Sequence, residues 1–402
     1  MLLVLLGSPF PTAAVRPWWQ WSWDQIPRWA SGQGATDFDD ATVEYFADNF
    51  DIMWTQGTKC CWSGEDTPGY ETWEDGVISD CFKIHSRRPN MPTFGYYGSY
   101  GCCSPYNNEW MPQFNGTNAS SLWLRDDDGR PLLAGPGSTH GSQVNHIYDF
   151  CNPDMLTFYK QVILRRFVES PHVHGSFFDE FDQFVEGCCG NTPWGGSLPG
   201  APYSFSQERK TSLTACWVDA MEEIVRFLAS HGKFAIPSTN AYQTQYADTF
   251  GNRQRDALAR HGGFKFVEAF CPEGGAFPSW VCPTHASRES CCLDQLFSIK
   301  EHAELGIPLM VHTELVNNSA GPVQLGAFLI AAQQWSYVAV GNGWNGPTSF
   351  PLVPEYSKRL GAPQGNATVV DADKGVFMRS FEHLELHLNI SAWKASFIWK
   401  AS

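Results

Sequence analysis

Short apolar runs separated by longer amphipathic stretches recur along almost the whole chain, and no other feature restricts the fold as strongly. That rhythm predicts parallel strands joined by helical crossovers. Eight strands are expected, at Trp18–Trp23, Phe50–Trp54, Met91–Tyr97, Val173–Asp179, Lys233–Pro237, Phe264–Phe270, Ile307–His312 and Tyr337–Gly341. Helices are expected at Asp40–Asn49, Pro153–Val168, Ser206–His231, Arg253–His261, Ser287–Leu305 and Val323–Trp335. In Ser206–His231, the residues Leu213, Cys216, Trp217, Ala220, Met221, Ile224 and Phe227 recur at the helical period. Asn152-Pro153-Asp154 reads as the cap and first turn of another helix. Eight strand–helix repeats point to a (β/α)8 TIM barrel. The rival is an open doubly wound sheet, but no Gly-x-Gly-x-x-Gly follows the first strand.

Two segments break the rhythm. Residues 98–151 are rich in Gly, Asn, Pro and Ser and read as a long insertion after strand 3, with a hairpin turning at Asp128-Gly129. An insertion beside a barrel mouth is a candidate for shaping a substrate site. From Thr368 to Trp399 the residues alternate as strands do, so 351–402 is expected to be a small C-terminal β appendage on a barrel of residues 15–350. Residues 1–14, "MLLVLLGSPFPTAA", read as a signal peptide or a truncated N-terminus.

With 402 residues, 43% hydrophobic and 17% charged, the chain has ample material for a large core. A net charge of −15 argues against nucleic acid or an anionic membrane as partner. Beyond the N-terminus no run reaches the roughly 18 apolar residues of a membrane span. The thirteen cysteines include four adjacent pairs and no CxxC, a pattern of disulfides with at least one cysteine left over. Asn115, Asn118, Asn317, Asn366 and Asn389 open Asn-x-Ser/Thr sequons. Together these features predict a secreted or cell-surface glycoprotein.

The stretch "HGSFFDEFDQF" sets Asp179, Glu180 and Asp182 at the end of an apolar run. A carboxylate in mid-core is costly to bury, whereas the mouth of a barrel, where strands end, is polar and open. Alternation places Phe177, Asp179 and Phe181 on one face, expected to be the inner one. Other strand ends add Tyr96 and Tyr97, Asn240, Glu268 between Phe266 and Phe270, His312 and Glu314, and Asn342 and Trp344, with Trp54 closing strand two. Acids and amides bind hydroxyls, and aromatic faces stack on sugar rings, so carbohydrate is the expected substrate. Glycoside hydrolysis needs two carboxyl groups flanking one bond. Asp179 is assigned as nucleophile and Glu268 as acid/base, with Glu314 in reserve. Trp54, Tyr96, Tyr97, Glu180, Asp182, Asn240, His312, Asn342 and Trp344 are assigned to substrate binding.

In order, "FADNFDIMW", "SSLWLRDDDGRPL", "IYDFCNPDMLTFY", "VHGSFFDEF" and "GVFMRSFEHLELHLN" resemble a group of largely uncharacterised glycoside-hydrolase-like (β/α)8 barrel proteins. The group is distantly related to the α-amylase and α-galactosidase barrels. The likeness runs over roughly positions 45 to 390, most of the chain on the scale of such a barrel. It implies the strand-four acid as nucleophile and the strand-six acid as proton donor, hence Asp179 and Glu268. The dense cysteines and the long insertion depart from that pattern. No cofactor and no metal is expected. His172 and His174 share a strand face, but they begin strand four, roughly 16 Å below its mouth. The alternative function is a non-catalytic carbohydrate-binding or structural glycoprotein on the same scaffold.

Overall fold

The computed structural model describes residues 17–32, 38–56, 72–98, 110, 113–114, 116–132, 146–179, 181, 203–238, 251–272, 287–313, 315–316, 319–344 and 346–400. Strands and helices alternate as β1 (Trp29–Ser31), α1 (Asp40–Asn49), β2 (Ile52–Thr55), α2 (Trp73–Arg87) and β3 (Thr93–Gly98). A broken helix follows: α3 (Pro153–Phe158), a π-helical turn at Tyr159–Ile163, and α4 (Arg165–Glu169). Then come β4 (Gly175–Asp179), α5 (Gln207–Ser230), β5 (Phe234–Pro237), α6 (Asn252–His261), β6 (Lys265–Val267), α7 (Arg288–Glu304), β7 (Leu309–Thr313), α8 (Pro322–Ala331) and β8 (Ser336–Val340).

All neighbouring pairs in these two sheets are parallel, in the orders β1-β2-β3-β4-β5 and β8-β7-β6. Backbone bonds also cross between the sheets at both junctions. The Phe264 N–H donates to the Ala235 carbonyl at 2.8 Å, and the Val338 N–H to the Pro27 carbonyl at 3.0 Å. Glycine is needed at the first junction. Gly263 has φ +139°, and a Cβ there would lie 2.6 Å from the Ala235 oxygen.

The eight parallel strands differ from expectation chiefly in two places: β6 is only Lys265–Val267 where Phe264–Phe270 was expected, so Glu268 lies just past it, and the first strand is displaced. That strand is Trp29–Ser31, not Trp18–Trp23. Trp19 instead lies beneath the sheet: its ring packs on Phe234 and Phe264, and its indole N–H donates to the Tyr337 hydroxyl at 2.8 Å. A tryptophan run has strand-like composition, but here it fills the open end of a core.

Two hydrophobic layers follow from the period-two alternation. Phe94, Phe177, Phe234, Ile236, Phe264, Phe266, Met310 and Tyr337 pack together on the inner strand faces. Phe178, Tyr97 and Ala235 face α3, α4 and α5, whereas Val267, Leu309, Val311 and Val338 face α7 and α8.

The helices begin where side chains satisfy free N–H groups. Asp39, Thr72, Asn152, Ser206 and Ser287 cap α1, α2, α3, α5 and α7. Helix α2 was absent from the sequence expectation, although Thr72 and Asp75 form a capping box. The hairpin expected around Asp128-Gly129 is present. Arg125 bridges Pro131 antiparallel, and the Gly129 N–H donates to the Asp126 carbonyl at 3.0 Å.

β9 (Thr368–Asp371), β10 (Val376–Ser380), β11 (Leu384–Asn389) and β12 (Lys394–Trp399) form an antiparallel sheet in that order. Its buried face packs on α8. From β10 the buried Arg379 donates to the carbonyls of Leu329, Ile330 and Ala332 at 2.7, 3.2 and 2.5 Å, closing the C-terminal end of α8.

Disulfides join Cys151 to Cys216 and Cys271 to Cys292, and Cys291 is disulfide-bonded as well. On chain-entropy grounds the 65-residue loop is worth about 4 kcal/mol and the 21-residue loop about 3 kcal/mol. Cys81 is the buried free cysteine among the described residues, and burial pushes its thiol up to about 12.

Candidate active site

The upper part of the inner core is a floor of aromatic rings. Trp54 of β2 lies flat on Phe177 of β4, with centroids 4.8 Å apart and planes 5° apart. Tyr96 of β3 stacks on both, at 5.5 and 5.8 Å. Phe266 of β6 meets Phe177 edge-on at 4.9 Å, and Trp29 of β1 meets Phe266 at 5.8 Å. Trp344, just past β8, packs on Trp54, Trp29 and Phe266 at 5.9 to 6.2 Å.

Two carboxylates each stand two residues beyond one of these rings: Asp179 beyond Phe177, and Glu268 beyond Phe266. Alternation within β4 gives Asp179 the same inner face as its ring, whereas Glu268 is the first residue past β6. Both are half-buried. The Tyr96 hydroxyl donates to Asp179 Oδ2 at 2.9 Å, which confirms the inward aim of Asp179. Phe177 and Phe266 touch, so the strand ends that carry the two acids rise from one patch of floor.

Glu268 is followed by a sharp turn. Ala269 and Cys271 have φ of +49° and +47°, a left-handed conformation that residues with a Cβ seldom adopt. The intervening Phe270 N–H donates to the His312 carbonyl at 2.9 Å.

His312 of β7 is 4% exposed and lies 4.2 Å from the Trp344 ring. Burial pushes its imidazole down to about 3, so it is neutral at ordinary pH. Among the described residues, neither ring nitrogen has a hydrogen-bond partner, and neither has the buried indole N–H of Trp54. A buried polar group left unpaired costs about 1–3 kcal/mol.

The structure therefore gathers Trp54, Tyr96, Asp179, Glu268, His312 and Trp344 at one end of the strands. Asn342 is exposed beside them, past β8. Tyr97 was expected to bind substrate but points the other way. It is buried against α4, and its hydroxyl donates to the Ile163 carbonyl at 2.8 Å and to Glu74 Oε1 at 3.3 Å. The π-helical turn offers that carbonyl, and the odd position in β3 turns the ring outward. Phe181 and Phe270 are also not on the inner face: Phe181 packs on Trp217 and Phe150, and Phe270 lies in the core under α7 and α8. The backbone turns immediately after Glu268, at Ala269, so alternation stops there. Glu180, Asp182, Asn240 and Glu314 lie outside the described residues.

Sequence reasoning missed Trp29 as part of the floor, because strand one was set too early. It also missed Gln295 of α7, whose amide reaches the turn after Glu268. Among the described residues, no group of three or more His, Cys, Asp or Glu side chains is arranged to hold a metal. No helix there is long and apolar enough to cross a membrane. His172 and His174 sit at the start of β4, where Trp18 packs on His174 at 5.1 Å.

No family model and no curated protein matches the chain. Among solved structures, it is similar to the cycloalternan-degrading enzyme of Trueperella pyogenes in complex with a covalent intermediate. That match has 12% identity and a TM-score of 0.43, covering 81% of this chain and 42% of that one. It is also similar to the alpha-N-acetylgalactosaminidase NagBb of Bifidobacterium bifidum, at 11% identity and a TM-score of 0.43, with 93% and 58% covered. Amy13B of Eubacterium rectale matches at 10% identity and a TM-score of 0.48, with 92% and 87% covered. The chain spans less than two thirds of the first two proteins. The neighbours are glycoside hydrolases of the amylase and α-galactosidase type, the kind of barrel that the sequence resembles.

Proposed function

We propose that the protein is a secreted glycoside hydrolase acting on an oligo- or polysaccharide, built on a closed (β/α)8 barrel with Asp179 as nucleophile and Glu268 as acid/base. The contact between Phe177 and Phe266 supports this reading, because the strand that ends in Asp179 and the strand that leads into Glu268 meet there. In this mechanism Glu268 gives a proton to the leaving glycosidic oxygen while the Asp179 carboxylate attacks the anomeric carbon. Water then releases the sugar, with Glu268 acting as base. The Tyr96 hydroxyl holds the Asp179 carboxylate in one orientation. Trp344 stacks on a sugar face, and the unpaired nitrogens of His312 and Trp54 bond sugar hydroxyls. Glu180, Asp182, Asn240 and Asn342 complete the binding set, and Glu314 is the reserve for either catalytic role.

The closed ring is supported by the two backbone bonds that cross the sheet junctions. Secretion is supported by the disulfides and by the exposed sequon asparagines Asn118 and Asn366. In this reading residues 1–14 are a signal peptide, 98–151 shape the substrate site, and 351–402 are an appendage.

A digestion screen of α- and β-linked oligosaccharides and polysaccharides with the secreted protein tests the proposal. Cleavage is expected, and Asp179→Asn should lower kcat on the order of 10³-fold or more while sugar binding survives. Equal turnover by both proteins removes Asp179 from the mechanism. Binding without cleavage by either protein favours a non-catalytic carbohydrate-binding protein.

A further inference from the structure

The turn after Glu268 is built from two residues that resist its shape. Ala269 and Cys271 both carry a Cβ, yet both hold left-handed backbone angles, with φ of +49° and +47°. Such conformations cost on the order of 1–3 kcal/mol each and persist only where the surroundings over-determine them.

Here the surroundings come largely from one helix. The Cys271 N–H donates to Oε1 of Gln295 at 2.7 Å, and the Gln295 amide nitrogen donates weakly to the Ala269 carbonyl at 3.4 Å. Gln295 is 1% exposed, so it has no water to exchange for these bonds. One turn of α7 earlier, Cys292 is bonded to Cys271, with Cα atoms 4.2 Å apart. On the opposite side, the Phe270 N–H is tied to the His312 carbonyl. Every residue from 269 to 271 is therefore pinned, and the first residue before them is Glu268.

We infer that Gln295 and the Cys271–Cys292 bridge are positioning groups for Glu268: they hold the strained turn and so fix where its carboxyl points. This inference rests on the assignment of Glu268 as acid/base. The glutamine suits the task because it offers an acceptor and a donor at once, to an N–H and a carbonyl two residues apart. The disulfide alone does not set the turn, since one covalent link leaves the 269–271 peptide planes free to rotate. With both in place, α7 acts as a rigid splint, and a general acid gains most from such fixed geometry.

Two readouts on the full-length, oxidised protein test this. The first is amide hydrogen exchange of Phe270 and Cys271. The second is the kcat–pH profile on whichever glycoside the protein cleaves. In Gln295→Ala, exchange at the two amides is expected to rise at least tenfold. The kcat is expected to fall about ten- to a hundredfold with KM within about twofold, and the alkaline limb of the profile to move. Gln295→Glu keeps the acceptor for the Cys271 N–H but loses the donor to the Ala269 carbonyl, so it should restore only part of the protection at Cys271, with kcat and the alkaline limb recovering in step. Cys271→Ser combined with Cys292→Ser reports the same quantities should Gln295→Ala fail to fold.

Unchanged exchange overturns the clamp. Increased exchange with kcat and the alkaline limb unmoved overturns the positioning role. If Glu268→Gln is fully active while Gln295→Ala loses protection, the error lies in the assignment of Glu268, and the positioning role falls with it.

Discussion

The two ends of the parallel strands are built on opposite rules. At the N-terminal end, several polar groups under the strands are paired, although Trp21 Nε1 and Arg28 Nε find no partner among the described residues. Trp19 donates its indole N–H to Tyr337, the Thr93 N–H donates to His174 Nδ1 at 3.2 Å, and His85 Nε2 bonds the Met91 carbonyl at 2.8 Å. Lys233 spends its ammonium on the Ser170 and Val173 carbonyls. At the C-terminal end, His312 and Trp54 bury nitrogens without partners among the described residues, and a strained turn follows Glu268. The same strands supply both ends, so the difference is not a matter of composition. One end is tied largely by its own bonds, whereas in the proposed function the unpaired groups at the other await a ligand.

The largest effect expected from this contrast is the loss of turnover in Asp179→Asn, with the melting temperature little changed. At the other end, Trp19→Ala should do the reverse. Removing a buried indole costs about 3–5 kcal/mol, read as a lower midpoint in urea, while KM is unmoved. A large change in KM for Trp19→Ala would break the division between the ends.

Acidification tests the closed end next. Burial, followed by the charges of His85 and Lys233, pushes His174 down to about 3, and burial alone does the same for His312. Between about pH 6.5 and 3 the unfolded chain binds protons at these sites and the folded chain does not, so stability falls as pH drops. Protonating His174 Nδ1 would also break the bond it accepts from Thr93. Thermal unfolding at pH 7, 5.5 and 4 should show a steady fall, and a flat profile would contradict the buried neutral state.

The smallest effect is expected from His312→Leu. Substrate affinity should weaken on the order of tenfold, yet stability should hold or rise, because an unpaired buried group is removed. A clear loss of stability would mean that His312 belongs to the fold and not to the site.

Much of this was legible in the sequence because it depends on local periodicity. The boundaries of α1, α5, α6 and α7 follow from apolar spacing and capping residues, and the C-terminal antiparallel sheet follows from alternation. Asp179 could be placed on an inner face by the same rule, and its bond from Tyr96 agrees. What failed were the points where the period breaks. Phe181, expected on the inner face, packs instead on Trp217 and Phe150, and after Glu268 the chain turns at Ala269, which is not a glycine. Tyr97 faces outward because the phase of β3 is fixed by its partners, Tyr96 pairing with Phe177 and Tyr97 with Phe178. Helix α2 carries Gly76 in its first turns, yet its capping box and the helical spacing of Val77, Cys81 and Ile84 were signals the sequence offered. Trp18–Trp23 reads as a strand until long-range contacts turn Trp19 into a plug.

The central claim is that the acids ending β4 and β6 act on one glycosidic bond. The most direct measurement is a crystal structure of Asp179→Asn with an oligosaccharide found in the digestion screen. The glycosidic oxygen is expected between the side chains at 179 and 268, with those two groups about 5 to 5.5 Å apart, as attack by Asp179 requires. A sugar bound elsewhere, or a Glu268 carboxyl aimed away from the ring floor, would contradict it.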